Sequence, residues 1–127
     1  MGATDDIVSG IMAKWADHFS KFDTDGQASL YSKHALFYGS RPTLYRGRDG
    51  VASYFDGLAK WSSREVTFAD VVAVPVGDDV INVAGIANFV IDKGVTNLSV
   101  KITWVIVRED GDWKIVSHHV SSRGALI

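Results

Sequence analysis

The C-terminal stretch Thr103–Arg123, TWVIVREDGDWKIVSHHVSSR, decides the fold because it contains two strands and the turn between them. Asp110 and Gly111 separate two runs that are rich in β-branched and aromatic residues, and an Asp-Gly pair is a strong signal for a two-residue type I′ turn. Both central positions of that turn need a positive φ, which glycine adopts freely. The stretch therefore predicts an antiparallel hairpin with Glu109 opposite Asp112.

A hairpin without irregularities assigns its side chains to two faces, because side chains alternate along a strand. In that register, one face carries Ile102, Trp104, Ile106, Trp113, Ile115, Ser117 and His119. The other face carries Thr103, Val105, Val107, Val116, His118 and Val120. The first face holds two tryptophans and is the more apolar, so we expect it to pack against helices. His119 should then point inward and His118 outward.

An amphipathic helix is predicted from Thr4 onward, ending before Gly26. Its apolar residues recur every four positions, at Ile7, Ile11, Trp15 and Phe19. A shorter helix is predicted over QASLYSK (27–33), a short strand over ALFYG (35–39), and a third helix from Val51 to near Trp61. Further strands are predicted over 64–76, 79–91, 98–109 and 112–122.

This order of elements predicts an α+β fold, in which helices come first and cover one face of a long antiparallel meander. The 127 residues are enough for one hydrophobic core of ordinary size and too few for two. We therefore expect a single domain over residues 1–127.

Composition excludes several classes of function. The net charge is -2, and lysines and arginines are scattered singly, so no basic stripe is present for a nucleic-acid backbone. Cysteine is absent, which removes disulfides, thiolate metal sites and a cysteine nucleophile. The acidic N-terminus does not have the pattern of a secretory signal, and no run is long enough to span a membrane. We expect a soluble cytoplasmic protein without a cofactor.

The paired histidines do not predict a metal site. Adjacent residues of one strand point in opposite directions, so His118 and His119 cannot both ligate one ion in the usual inward arrangement. The remaining histidines, His18 and His34, lie on other elements without a recognisable ligand spacing. We expect no bound metal.

Three segments together resemble a known family: KWADHFSKFDTDGQASLYSKHALFYGS (14–40), LYRGRDGVASYF (44–55) and ITWVIVREDGDWKIVSHHVSS (102–122). They are similar to SnoaL-like members of the nuclear transport factor 2-like superfamily, and within it to the association domain of calcium/calmodulin-dependent protein kinase II. The resemblance implies a cystatin-like cone, in which a strongly bent antiparallel sheet wraps around a long N-terminal helix. It also implies a cavity at the wide end of the cone and dimerisation through the outer sheet face.

The resemblance, together with the predicted faces, gives two sets of candidate residues. The ligand pocket would be lined by Trp15, Tyr38, Arg41, Tyr54, Trp104, Ser117 and His119. The homodimer interface would contain Val105, Val107, Val116, His118 and Val120. These residues make the second face of the sheet more apolar than a solvent-exposed face would be, which favours contact with another protein surface.

Three functions remain open, because the resemblance covers proteins of several kinds. The first is a homodimer that holds a small, partly apolar organic molecule in its cone. The second is a cofactor-free isomerase, dehydratase or polyketide-cyclase-type enzyme, with His119, or His34 with Asp70, as general acid/base. The third is a self-association module that binds no ligand.

Overall fold

The computed structural model describes residues 2–127. Over these residues the chain forms three α-helices, six strands and one 3₁₀ turn. The helices are α1 (Ala3–Ser20), α2 (Thr24–Ser29) and α3 (Gly47–Asp56), and the 3₁₀ turn is Asp92–Gly94. The strands are β1 (Tyr31–Tyr38), β2 (Leu44–Arg46), β3 (Arg64–Pro75), β4 (Val80–Ile91), β5 (Thr96–Glu109) and β6 (Asp112–Ser122).

The short helix α2 and the strand β1 both begin earlier in the chain than predicted. The Asp23 side chain accepts a hydrogen bond from the backbone N–H of Gly26 at 3.0 Å, which caps the helix at that point. The carbonyl of Leu30 accepts a hydrogen bond from the backbone N–H of Ile115 in β6 at 2.9 Å. The chain therefore joins the sheet at Tyr31, a residue that the helical prediction had included.

The strands form one six-stranded sheet in the order β2-β1-β6-β5-β4-β3, which curls without closing. All neighbouring pairs are antiparallel except β1 and β6, which are parallel. The predicted α+β fold with N-terminal helices and a bent sheet is confirmed. The parallel pair arises because β1 comes before α3 and the meander, and the last strand of the meander returns to lie beside it.

The predicted hairpin between β5 and β6 is confirmed near its turn. Asp110 and Gly111 have φ angles of 53° and 84°, as a type I′ turn requires. Pairing follows the predicted register from the turn as far as Ile106 opposite Ile115.

A β-bulge then shifts the register, so the predicted faces are wrong for the rest of β6. Val105 pairs with Ser117, which leaves Val116 as one extra residue in β6. Trp104 consequently faces His118, where the uninterrupted register had placed Ser117. A one-residue shift exchanges every following side chain between the two faces of a strand.

The corrected register is visible in two cross-strand rows that run from β1 to β3. The inner row consists of Phe37, His118, Trp104, Val83 and Ala73. The outer row consists of Tyr38, His119, Thr103, Ala84 and Val72. His118 is 4% exposed, whereas its neighbour His119 is exposed. The two histidines do point in opposite directions, but the inward one is His118.

Helix α1 packs its apolar stripe against the inner face of the sheet. Trp15 and Phe19, one turn apart, stack with ring centroids 5.2 Å apart and are both buried. The C-terminal end of α1 is held by Arg64 of β3, which is 3% exposed and donates from Nε to the carbonyl of Phe19 at 2.6 Å. This contact fixes the helix across the concave side of the sheet, where the cavity lies.

The longest helix, α1, is amphipathic and carries several charged residues. Among residues 2–127, no helix is both long and apolar enough to cross a membrane.

Candidate functional site

A cavity of about 130 Å³ lies between α1, α3 and the concave face of the sheet. Aromatic and aliphatic side chains make up almost all of its wall, and within the described part of the chain no Asp, Glu, Lys or Arg lines it. The lining residues are Trp15, Phe19, Phe37, Ser40, Tyr54, Phe55, Leu58, Trp61, Phe68, Ala87, Phe89, Ile91, Leu98, Val100, Ile102, Trp104, His118 and Val120. An engineered apolar cavity of similar size is known to hold benzene.

Among the described residues of this wall, His118 is the one titratable imidazole, and aromatic rings surround it. Phe37 stacks on it with ring centroids 4.5 Å apart, and Trp104 meets it edge-on at 5.5 Å. Trp15 lies across the cavity from β6, with its centroid 6.4 Å from the imidazole. The cross-strand pairing of β1, β6 and β5 sets these contacts, since Phe37, His118 and Trp104 occupy one row.

A buried chain of hydrogen bonds connects α1 to His118. The indole Nε1 of Trp15 donates to the hydroxyl oxygen of Tyr31 at 3.0 Å. That oxygen lies 2.8 Å from Nδ1 of His118. Tyr31 is fully buried, at 0% exposure, so its hydroxyl depends on these two partners.

Burial dominates the protonation of both groups in this chain. Loss of solvation, together with a smaller contribution from the nearby charge of His119, lowers the pKa of His118 to about 3. Loss of solvation also raises the pKa of Tyr31, against the smaller opposing effect of the hydrogen bond from Trp15. At neutral pH His118 is therefore a neutral imidazole in the cavity wall, and it is hydrogen-bonded to the neutral phenol of Tyr31.

Hydrogen bonds to Tyr54 of α3 hold the loop after β1 beside the cavity. The backbone N–H of Ser40 donates to the Tyr54 hydroxyl at 2.9 Å, and the Ser40 hydroxyl lies 2.7 Å from the same oxygen. Arg41 donates from Nη2 to the carbonyl of Gly57 at 2.6 Å. A Cβ at Gly39 would overlap the Tyr54 ring, so glycine is what allows this close approach.

The structure brings three of the seven predicted pocket residues to the cavity wall: Trp15, Tyr54 and Trp104. The other four lie elsewhere. Tyr38, Arg41 and His119 line a shallow surface groove that shares Ser40 and Val120 with the cavity wall, and Ser117 is exposed on the outer sheet face.

The predicted dimer interface also needs correction. Val105 and Val107 are half-buried and lie on the outer face of β5, as expected, and Val116 is the half-buried bulge residue. His118 and Val120 instead line the cavity on the inner face. The bulge at Val116 is the reason, because it exchanges the faces of the residues that follow it.

None of the three predicted catalytic residues reaches the cavity. His119 and His34 are exposed, and His119 lies on the outer face of the sheet. Asp70 is exposed in a bulge of β3, between Ala69 and Val72, where its φ is 53°. No cluster of three or more His, Asp or Glu side chains suited to a metal ion occurs within residues 2–127.

Two residues of this hydrogen-bond chain were missed by the sequence analysis. Tyr31 was predicted to lie in the short helix over residues 27–33, and His118 was predicted on the outer face of the sheet. Only the pairing of Tyr31 with Ile115, across the parallel β1–β6 interface, brings its side chain toward His118.

The comparisons with known proteins agree with this architecture. A proposed calcium/calmodulin-dependent protein kinase II association domain from Xanthomonas campestris is similar to the chain with a TM-score of 0.82 and 19% identity, over 94% of this chain and 87% of that one. A proposed scytalone dehydratase from Novosphingobium aromaticivorans is similar with a TM-score of 0.84 and 14% identity, over 94% of this chain and 84% of that one. A nuclear transport factor 2-like protein with a cystatin-like fold, from the same organism, is similar with a TM-score of 0.82 and 13% identity, over 97% of this chain and 84% of that one.

These identities are low, so the three structures show the fold alone. Among curated proteins, none matches the sequence. Residues 8–123 match the SnoaL-like domain, and this range covers most of helix α1 and the whole hairpin that carries His118. The chain therefore belongs to the SnoaL-like domain family.

Proposed function

We propose that the protein binds a small, neutral and largely apolar organic molecule in the cavity between α1 and the sheet. The observation that carries this proposal is the combination of an almost wholly apolar wall with one inward-facing imidazole, His118. Ligand sites of proteins typically combine apolar walls with a few convergent polar groups. A charged ligand is disfavoured, because no side chain of opposite charge lines the wall to offset its loss of solvation.

The volume of the cavity limits the ligand to about one six-membered ring. Phe37, Phe55 and Phe89 offer ring faces and edges to such a molecule. The proposed scytalone dehydratase among the similar structures is consistent with a cyclic organic ligand, although its likeness to this chain shows only the fold.

Filling the cavity tests this proposal. Ala87 lines the cavity and is 1% exposed, so Ala87→Leu adds its extra atoms in the space that the ligand would occupy. We expect Ala87→Leu to weaken the binding of fluorobenzene, followed by ¹⁹F nuclear magnetic resonance, by about fivefold or more, the loss that corresponds to roughly 1 kcal/mol.

The matched control is Ala84→Leu on the same strand, because Ala84 is exposed in the outer row and should leave the affinity unchanged. Circular dichroism establishes that both variants are folded. Equal affinities for the two variants, or no binding by the parent protein, would contradict the proposal.

The enzyme alternative would need a proton-transferring group inside the cavity. His119, His34 and Asp70 lie outside it, and the lowered pKa of His118 makes that imidazole a weak base at neutral pH. Binding without acid/base chemistry at these residues is therefore the function that we place first.

We also propose that the protein forms a homodimer through the outer face of the sheet. A second outer row consists of Leu36, Ser117, Val105, Asn82 and Val74, and its end residues Leu36 and Val74 are 48% and 50% exposed. Val72 and Tyr38 at the ends of the adjacent row are 60% and 43% exposed. Large apolar side chains spread over one sheet face are typical of a contact with another protein surface.

Charge substitution on this face tests the homodimer. We expect Leu36→Asp combined with Val105→Asp to convert the dimer to a monomer in light scattering coupled to size exclusion, because dimerisation would then remove carboxylates from water. Leu126→Asp in the C-terminal tail, where the side chain is 97% exposed, serves as the control and should remain dimeric. A parent protein that is already monomeric would refute the homodimer.

A further inference from the structure

The direction of the buried hydrogen-bond chain follows from the chemistry of its first member. An indole N–H can only donate, so the Tyr31 oxygen must accept the bond from Trp15. The hydroxyl's own hydrogen is still available to donate. In the described structure, the other partner of the Tyr31 oxygen is Nδ1 of His118, 2.8 Å away. The arrangement that satisfies both Trp15 Nε1 and the Tyr31 hydroxyl therefore has Tyr31 donating to an unprotonated Nδ1.

An imidazole that accepts at Nδ1 and is neutral carries its proton on Nε2. The lowered pKa of His118 is consistent with the neutral form. Within residues 2–127, no protein group forms a hydrogen bond with Nε2, and His118 belongs to the cavity wall. The ring thus presents a neutral N–H donor on its free side.

We propose, building on the function proposed above, that the ligand is a neutral single-ring ketone or aldehyde whose carbonyl oxygen accepts a hydrogen bond from Nε2–H of His118. A carbonyl supplies the acceptor that the donor lacks, and it brings no hydrogen that would need an acceptor of its own.

An alcohol fits less well than a carbonyl compound. The Ser40 and Tyr54 hydroxyls, which also line the cavity, are hydrogen-bonded to each other, and Nε1 of Trp104 can only donate. Among these side chains, only the Ser40 hydroxyl oxygen keeps a lone pair that could accept the hydroxyl hydrogen of an alcohol, and a hydrogen directed elsewhere would remain unpaired. A carboxylate is disfavoured by the absence of any Lys or Arg from the described wall of the cavity.

A series of ligands with one ring shape tests the carbonyl preference. Cyclohexanone, cyclohexanol and methylenecyclohexane have similar volumes and differ in the group that would face His118. We expect cyclohexanone to bind about tenfold more tightly than methylenecyclohexane, with cyclohexanol between them, as measured by tryptophan fluorescence or ligand-detected nuclear magnetic resonance. Equal affinities for cyclohexanone and methylenecyclohexane would overturn this inference and leave the proposed apolar binding function intact. Failure of all three to bind would overturn both.

The tautomer of His118 is the second readout, and it needs no ligand. Long-range ¹H–¹⁵N correlation spectra of the parent protein should show Nδ1 unprotonated and Nε2 protonated. Tyr31→Phe removes the hydroxyl donor, so this preference should weaken and the tenfold advantage of cyclohexanone should fall to about threefold or less. Tyr54→Phe removes another buried hydroxyl, one bonded to Ser40, and should leave the tautomer unchanged. A proton on Nδ1 in the parent protein would overturn the inference.

Discussion

His118→Asp should destabilise the protein by about 3 kcal/mol or more, while His119→Asp should change the free energy of unfolding by no more than about 0.5 kcal/mol. Residue 118 is 4% exposed among Phe37, Trp104 and Trp15, where an ionised carboxylate would have no solvent and no cation. Residue 119 is exposed on the outer face of the same strand, where a carboxylate keeps its hydration.

Urea denaturation, monitored by circular dichroism, measures the free energy of unfolding of both variants. The two variants differ only in which of two adjacent histidines is replaced. A small domain has a free energy of unfolding of roughly 5–15 kcal/mol, so the first variant should be severely destabilised or unfolded. If His119→Asp proves the more damaging variant, the hairpin has no bulge at Val116. The inward position of His118, and with it the assigned cavity wall on β6, would then be wrong.

The hairpin shows how far the sequence alone could determine the fold. Asp110-Gly111 was a sufficient local signal for the turn, because few dipeptides adopt two positive φ angles so readily. Register then follows by counting from the turn, and the count is correct as far as Ile115. The family resemblance and the α+β arrangement were also within reach of the sequence.

Counting residues from the turn could not predict the bulge, and one extra residue in β6 moves every later side chain to the opposite face of the strand. A signal was nevertheless present in the polar alternation of Ser117, His119 and Ser121, which is typical of a solvent-facing row. In the structure these three residues are exposed, whereas His118 and Val120 between them line the cavity. An alternation taken from the C-terminal end of β6 would have given the correct faces there.

The partners of His118 depend on contacts between distant parts of the chain. Tyr31 is 87 residues from His118 in sequence, and only the parallel pairing of β1 with β6 brings the two side chains within hydrogen-bonding distance. Tyr31 was predicted to lie in a helix, and pairing with the sheet overrode that local prediction. Trp15 lies in the cavity wall, on the apolar stripe of α1 that local periodicity was sufficient to predict.

Acid should destabilise the parent protein through His118 well before its carboxylates become protonated. The folded state holds the pKa of this imidazole at about 3 by burial, while an unfolded histidine titrates near 6.5. Below about pH 6.5 His118 is therefore protonated in the unfolded chain and remains unprotonated in the folded chain, so the free energy of unfolding falls as the pH falls. The stabilisation is fully present above pH 6.5 and is lost progressively toward pH 3.

Between pH 7 and pH 5 this single group should lower the free energy of unfolding by about 2 kcal/mol, since one proton taken up on unfolding gives roughly 1.4 kcal/mol per pH unit. Asp23 and Glu109 also have lowered pKa values, from hydrogen bonds with Gly26 and Ser32 respectively, but their stabilising effects are lost mainly below pH 5. Restricting the measurements to pH 5–7 therefore separates the histidine from the carboxylates.

His118→Gln should remove most of this pH dependence, because glutamine does not titrate, whereas His119→Gln should retain it, because His119 is exposed. Urea denaturation at pH 5, 6 and 7 gives the slope of the free energy of unfolding against pH for the parent and for each variant. His118→Gln also loses stability at pH 7 through the altered partner of Tyr31, so the slope, and not the absolute stability, is the quantity to compare. A parent slope that persists in His118→Gln and disappears in His119→Gln would mean that His119 is the buried, neutral imidazole.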